Sequence, residues 1–161
     1  MLASRIVSVI LLRGRQVVRG RSYGENNVRC DLLSTVSLYE RRNLDEVVLL
    51  DVGATPNGSG PNAALIREFA GSMFCPVTVG GGVRTLEHFR VLLANGADKV
   101  AINTAAVETP ELISQAAEKF GRQAVVVSID VRSETGTVLS RCASRDTGLV
   151  ARDYARSVQA R

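Results

Sequence analysis

Short runs of β-branched and aliphatic residues, each closing on a carboxylate, an amide or glycines, recur along this chain. They are EVVLLD (Glu46 to Asp51), CPVTVGGG, KVAIN (Lys99 to Asn103) and AVVVSID (Ala124 to Asp130), preceded by RIVSVILL from Arg5. Runs of this length with no polar face read as strands covered on both sides, the habit of a parallel sheet packed under helices.

The intervening segments supply the helices. Leu32, Val36 and Tyr39 have helical spacing from Asp31 to Arg42, with Asp31 as N-cap. The turn-rich TPNGSGPN leads into a helix from Ala63 to Ser72, and Thr85 to Ala94 forms another that stops at Asn95-Gly96. Thr109-Pro110-Glu111 opens a helix ending at Phe120-Gly121, through an N-cap followed by proline at the first helical position. After Asp130, Gly136 to Cys142 reads as a small hairpin and Val150 to Ala160 as a helix. Strand and helix in alternation imply parallel crossovers, and so an α/β class. A doubly wound dinucleotide-binding sheet predicts a glycine fingerprint after its first strand, and RGRQVVRG is not one. A flavodoxin-like sheet or a barrel remains.

Composition narrows the chemistry. The 161 residues fit one domain. The apolar stretch from Ile6 to Leu12 is far short of the roughly 20 residues of a membrane helix. Three scattered cysteines give neither a disulfide framework nor a C-x-x-C zinc site, and one histidine, His88, gives no His-rich metal site. A reducing cytoplasm is the expected compartment, with no metal or cofactor, and carboxylates must carry any acid–base work. The net charge of +4 is spread along the chain, and four Phe and three Tyr leave little for base stacking, so neither nucleic acid nor membrane is an expected partner.

Polar residues sort by strand end. Asp51, Gly80, Gly81, Gly82, Asn103, Thr104 and Asp130 lie at C-terminal ends, where parallel folds hold their ligands, and Arg5, Glu46 and Lys99 lie at N-terminal ends. VTVGGGVRT reads as a phosphate cradle in preference to a tight turn needing positive φ, with Asn103 and Thr104 of AINTAA as further donors. Asp51 and Asp130 each cap a turn or face a polar cavity, and an aspartate beside a substrate is a candidate acid or base. The floor charges are ordinary strand-end solvation or, in a closed barrel, a ring. His88 reads as a packing residue. A weak internal repeat sets Ile10-Leu11-Leu12-Arg13 against Ile129-Asp130-Val131-Arg132, so the first strand has leucine where the fifth has aspartate.

Together MLASRI, DEVVLLDVGAT, PVTVGGGVRT, GADKVAINTAAV, PELI and FGRQAVVVSID resemble the cyclase subunit of imidazole glycerol phosphate synthase, a (β/α)8 barrel of histidine biosynthesis. Leu12 to Ser34 and the hairpin after Asp130 fit loosely. The resemblance implies a partial TIM barrel of about five βα units. It also implies ammonia from a glutaminase partner and a phosphoribulosyl formimino-carboxamide ribotide substrate. The products would be imidazole glycerol phosphate and an aminoimidazole carboxamide ribotide. It assigns Asp130 as one of two catalytic aspartates and the Gly81-Gly82 cradle with Asn103 and Thr104 as a phosphate site. Asp51 becomes a polar active-site position, Arg5, Glu46 and Lys99 three of four residues of a charged ammonia gate, and Asp98 a glutaminase-facing position.

Two departures stand out, one in residues and one in length. Leu11 occupies the place of the other catalytic aspartate, where it cannot transfer a proton, and Arg19 replaces a usual lysine. A related branch, encoded with sugar-amidation genes for surface polysaccharides, shares the leucine and is thought to pass ammonia to a different acceptor. A non-catalytic glutaminase-docking subunit is a third reading. The barrel takes about 250 residues. The expectation is therefore a single incomplete domain over residues 1–161, ending after the fifth helix, with exposed sheet edges. The second phosphate site and fourth gate residue would lie in the absent strands.

Overall fold

The computed structural model describes residues 4–20, 27–40 and 44–161, with the side chains of 27 and 37–40 undescribed. Met1 to Ala3 of the first motif, the Tyr39 side chain and Arg42 lie outside them. In chain order the elements are β1 (Val7–Arg13), β2 (Gln16–Arg19), β3 (Asn27–Asp31), α1 (Leu32–Glu40), β4 (Glu46–Asp51), α2 (Ala63–Ala70), β5 (Val77–Gly80) and α3 (Leu86–Ala94). They continue with β6 (Lys99–Ile102), α4 (Thr104–Glu108), α5 (Glu111–Phe120), β7 (Val125–Val127), β8 (Asp130–Val131), β9 (Thr137–Ser140), β10 (Arg145–Val150) and α6 (Ala151–Gln159).

The main sheet runs β3-β2-β1-β4-β5-β6-β7. Its β1, β4, β5, β6 and β7 are parallel, the five βα strands of a partial barrel, and among the described residues the sheet does not close. β2 and β3 extend it antiparallel beyond β1, an addition to the expected pattern. Side-chain alternation gives the sheet two different faces. Ile10, Leu12, Val47, Leu49, Val77, Val79, Val100 and Ile102 point outward into a core shared with Leu65, Phe69, Phe89, Leu92, Leu112 and Ile113. The inner face is built in rungs. Val9, Val48, Thr78 and Lys99 lie side by side, and above them Leu11, Leu50, Gly80, Ala101 and Val126.

Helix starts follow local chemistry. Asp31 Oδ1 accepts from the Leu33 N–H at 3.0 Å, Asn62 Oδ1 from Leu65 at 3.1 Å and Thr85 Oγ1 from His88 at 3.2 Å, each satisfying a donor that has no partner within its helix. A short α4 precedes α5, where the sequence reads a single helix.

The expected strand from Ala124 to Asp130 needs correction. Its last parallel ladder bond runs from Ser128 N–H to the Ile102 carbonyl at 2.9 Å. Asp130 then pairs antiparallel with Leu139 in a second sheet, β10-β9-β8. Buried Val138 and Leu139 give the chain an apolar partner there, so it leaves the main sheet. The hairpin itself spans β9 and β10 rather than Gly136 to Cys142. Among the described residues no helix is long and apolar enough to cross a membrane.

Phe89 is fully buried on α3 and stacks on Phe120 at 6.0 Å between ring centroids, which ties α3 to α5. Phe89→Ala is expected to cost about 3–5 kcal/mol of stability in denaturant unfolding, as a large core cavity does.

Candidate functional site

Three glycines let the strand tips converge. A Cβ on Gly80 would lie 2.8 Å from Leu50 Cδ2 and 2.9 Å from the Ala101 carbonyl. One on Gly81 would overlap the Asp51 carbonyl, and one on Gly82 would sit 2.5 Å from the Ser59 carbonyl. Gly81 and Gly82 also take φ of 112° and 67°, a region unfavourable to side-chain-bearing residues. The tight turn needing positive φ is therefore what Gly81 and Gly82 form, and it lays both against a cavity.

That cavity has a volume of about 600 Å³, and Asp51, Gly81, Gly82, Asn103, Thr104 and Asp130 all line it. Asn103 joins two tips. Its Nδ2 donates to the Ser128 carbonyl at 3.0 Å and to Asp130 Oδ2 at 3.3 Å. Thr104 Oγ1 accepts the Arg141 N–H at 3.1 Å and reaches Asn103 Oδ1 only at 3.5 Å, so its hydroxyl hydrogen can be given to a ligand. Asp51 Oδ1 accepts from the N–H groups of Gly53 at 2.9 Å and Ala54 at 3.2 Å, so it caps its turn and also lines the cavity. Leu11 lines the wall beside Leu50, while Arg19 is not among the lining residues. His88 braces the glycine turn by accepting the Arg84 N–H on Nδ1 at 3.2 Å, in keeping with a packing role.

The opposite strand ends hold a second polar cluster. Lys99 Nζ donates to both Glu46 carboxylate oxygens at 2.8 Å, and the Thr78 hydroxyl donates to Oε1 at 2.7 Å. Glu46 is buried. The Lys99 bond holds its carboxyl below the usual glutamate range; burial opposes this and the Thr78 bond assists. Arg5 is exposed and adds only a longer-range attraction. Asp98 Oδ2 accepts the Val77 N–H at 2.8 Å, and its own N–H reaches the Val77 carbonyl, clamping β5 to β6 while the residue stays exposed at this end.

A family model described as "Histidine biosynthesis protein" matches residues 5–161. The chain belongs to the histidine biosynthesis protein family. Similar proteins include three carrying the name imidazole glycerol phosphate synthase subunit HisF. The one from Dictyoglomus thermophilum is 46% identical over 132 residues, 82% of this chain and 52% of its own length. That of Metallosphaera sedula is 40% identical over 161 residues, 99% of this chain and 64% of its own. That of Natranaerobius thermophilus is 39% identical over 163 aligned positions, 100% of this chain and 65% of its own. The chain thus spans between about half and two thirds of the length of these relatives.

In this histidine biosynthesis family member the cavity is also lined by Arg13, Arg84, Glu108 and Cys142, to which the sequence reading gave no place in the site. Cys142 comes from the β9–β10 turn, where Arg141, Cys142 and Ala143 take φ of 54°, 55° and 62°. Left-handed backbone costs about 1–2 kcal/mol per such residue, so the turn must be held from outside. Glu108 holds it, accepting from Arg141 Nε at 2.6 Å with Arg145 Nη1 at 3.5 Å. Cys142 Sγ reaches the Val52 carbonyl at 3.8 Å, and burial, then Asp130 and Asp51, push its thiol above the usual range. The sequence carried no local sign of Cys142, because the hairpin brings it in from far along the chain.

Lys99→Met would strand the buried Glu46 carboxylate and should cost about 1–3 kcal/mol of stability. A lowered folded pKa stabilises above the ordinary glutamate value of 4.5 and loses that contribution as pH falls through the folded value. The gap between wild type and variant in urea unfolding should therefore be full at neutral pH and shrink on acidification below 4.5.

Proposed function

We propose that the chain acts within a cyclase subunit of imidazole glycerol phosphate synthase, a cytoplasmic lyase of histidine biosynthesis. It would bind the phosphoribulosyl formimino-carboxamide ribotide at the cavity and receive ammonia made by a glutaminase subunit. The observation that carries this reading is the Asn103 bridge to Asp130, which sets a carboxylate in the cavity that Gly82 and Thr104 also line.

In this reading Gly81, Gly82, Asn103 and Thr104 hold one phosphate and fix the ribotide against Asp130, which moves the proton during ring closure. Asp51, committed to its turn through Oδ1, offers its other oxygen to the substrate. Ammonia enters past Lys99, Glu46 and Arg5, and Asp98 faces the glutaminase that docks there. The inner rungs between the two ends are mostly aliphatic, with Thr78 bonded to Glu46, so a neutral molecule meets little that competes for it.

Leu11 favours a second reading. An aliphatic side chain in the place of a proton-transferring carboxylate leaves Asp130 alone, which suits a subunit that passes ammonia to another acceptor, a surface-polysaccharide sugar. A glutaminase-docking subunit without chemistry is its limiting case.

Turnover of the ribotide with ammonium as nitrogen donor, measured in the full-length protein, tests the assignment. Wild type should be slow, Asp130→Asn should remove what activity there is, and Leu11→Asp should raise turnover by about 10² or more, the usual worth of a positioned acid or base. No gain from Leu11→Asp, with glutamine hydrolysis still stimulated in a mixture with the glutaminase, would favour the second reading.

A further inference from the structure

The short helix α4 begins at Thr104 and ends at Glu108, four residues on, so the two side chains lie on one face. Both take hold of Arg141. Thr104 Oγ1 accepts the Arg141 main-chain N–H at 3.1 Å, and Glu108 Oε1 accepts its side-chain Nε at 2.6 Å. Arg141 opens the left-handed run Arg141-Cys142-Ala143. Ser144 closes that turn, its N–H and hydroxyl donating to the Arg141 carbonyl at 3.2 and 2.7 Å. Cys142 reaches the Val52 carbonyl beyond β4, so the turn ties α4 to the loop after β4, and Val52, Thr104, Glu108 and Cys142 all line the cavity.

We infer that Glu108 is a positioning residue, which through Arg141 holds the Thr104 hydroxyl as a donor to an anion in the cradle. The inference rests on the phosphate reading of Gly82, Asn103 and Thr104. A threonine hydroxyl has one hydrogen and two acceptor sites, and it rotates to suit its neighbours. With the Arg141 N–H on one acceptor site and Asn103 Oδ1 no nearer than 3.5 Å, the hydrogen is left for a ligand. The N–H stays in place only while three consecutive residues keep left-handed φ, which side-chain-bearing residues disfavour. Cys142 Sγ, 3.8 Å from its acceptor, is a weak tether. The bond to Glu108 is short and charge-assisted, and it is the one that fixes where Arg141 stands.

Plain electrostatics predicts the opposite of this role. A carboxylate on the wall of an anion-binding cavity repels the ligand, so removing a Glu108 that had no positioning task would tighten binding. Removing Arg141 would then weaken it. A positioning pair instead loses affinity whichever partner is removed. The pair lies at the surface, where such a bond adds little to stability, so its replacement leaves the fold intact.

Calorimetric titration of the full chain with imidazole glycerol phosphate tests the inference, with thermal unfolding as the folding control. Wild type should bind saturably, and Thr104→Val should weaken binding. Glu108→Ala and Arg141→Met should each weaken it about three- to tenfold although they remove opposite charges. Glu108→Gln, which keeps an acceptor for the Arg141 Nε, should fall between Glu108→Ala and wild type. In the Thr104→Val background neither Glu108→Ala nor Arg141→Met should cost anything further, since both act through that hydroxyl. Glu108→Ala binding as tightly as wild type or more tightly, or costing as much without the Thr104 hydroxyl as with it, overturns the positioning role while the loss in Thr104→Val keeps the cradle. If wild type does not bind, or Thr104→Val binds equally well, the cradle reading falls and the role of Glu108 falls with it.

Discussion

The site depends on the close approach of the β5 tip to its neighbours. At Gly80, Gly81 and Gly82 any side chain would strike Leu50, Ala101, the Asp51 backbone or the Ser59 carbonyl. Because nothing projects there, the chain turns sharply after β5, and the tips of β4 and β6 stand close on either side. Asn103 then reaches Asp130 across the next gap. A single Cβ in this stretch would push these strand tips apart.

Above and below that constraint, polarity is divided along the strands. Carboxylates, amides and glycines gather at the mouth, while Glu46, Lys99 and Thr78 satisfy one another at the floor. Between them the inner rungs are mostly aliphatic. Leu11 belongs to this band and carries it up to the cavity wall. The arrangement supports a division of labour in which one end admits a small neutral molecule and the other holds an anionic substrate.

Much of this was legible in the sequence. β4, β5 and β6 show as apolar runs whose outward residues fill the core, and the polar residue closing each run marks the mouth. The segment from Gln16 to Asp31 was not, because β2 and β3 carry Arg19 and Arg29 among short apolar stretches and take their structure from pairing beyond β1. Asp130 was read as a strand end and lies at a departure from the sheet, since its partner Leu139 is supplied by the hairpin. Cys142 reaches the cavity through the hairpin, and no local pattern announces it. Arg13 stood in view, aligned with Arg132 in the internal repeat, and nothing in the sequence marked it for the site.

The central claim is that consecutive strand tips form one anion-binding mouth. Amide resonances of the isotopically labelled protein, followed by NMR during titration with imidazole glycerol phosphate, test it most directly. Saturable shifts at Gly81, Gly82, Asn103, Thr104 and Asp130, with Glu46, Asp98 and Lys99 unmoved, are the predicted result. Shifts confined to the floor, or scattered over surface arginines without saturation, would contradict it.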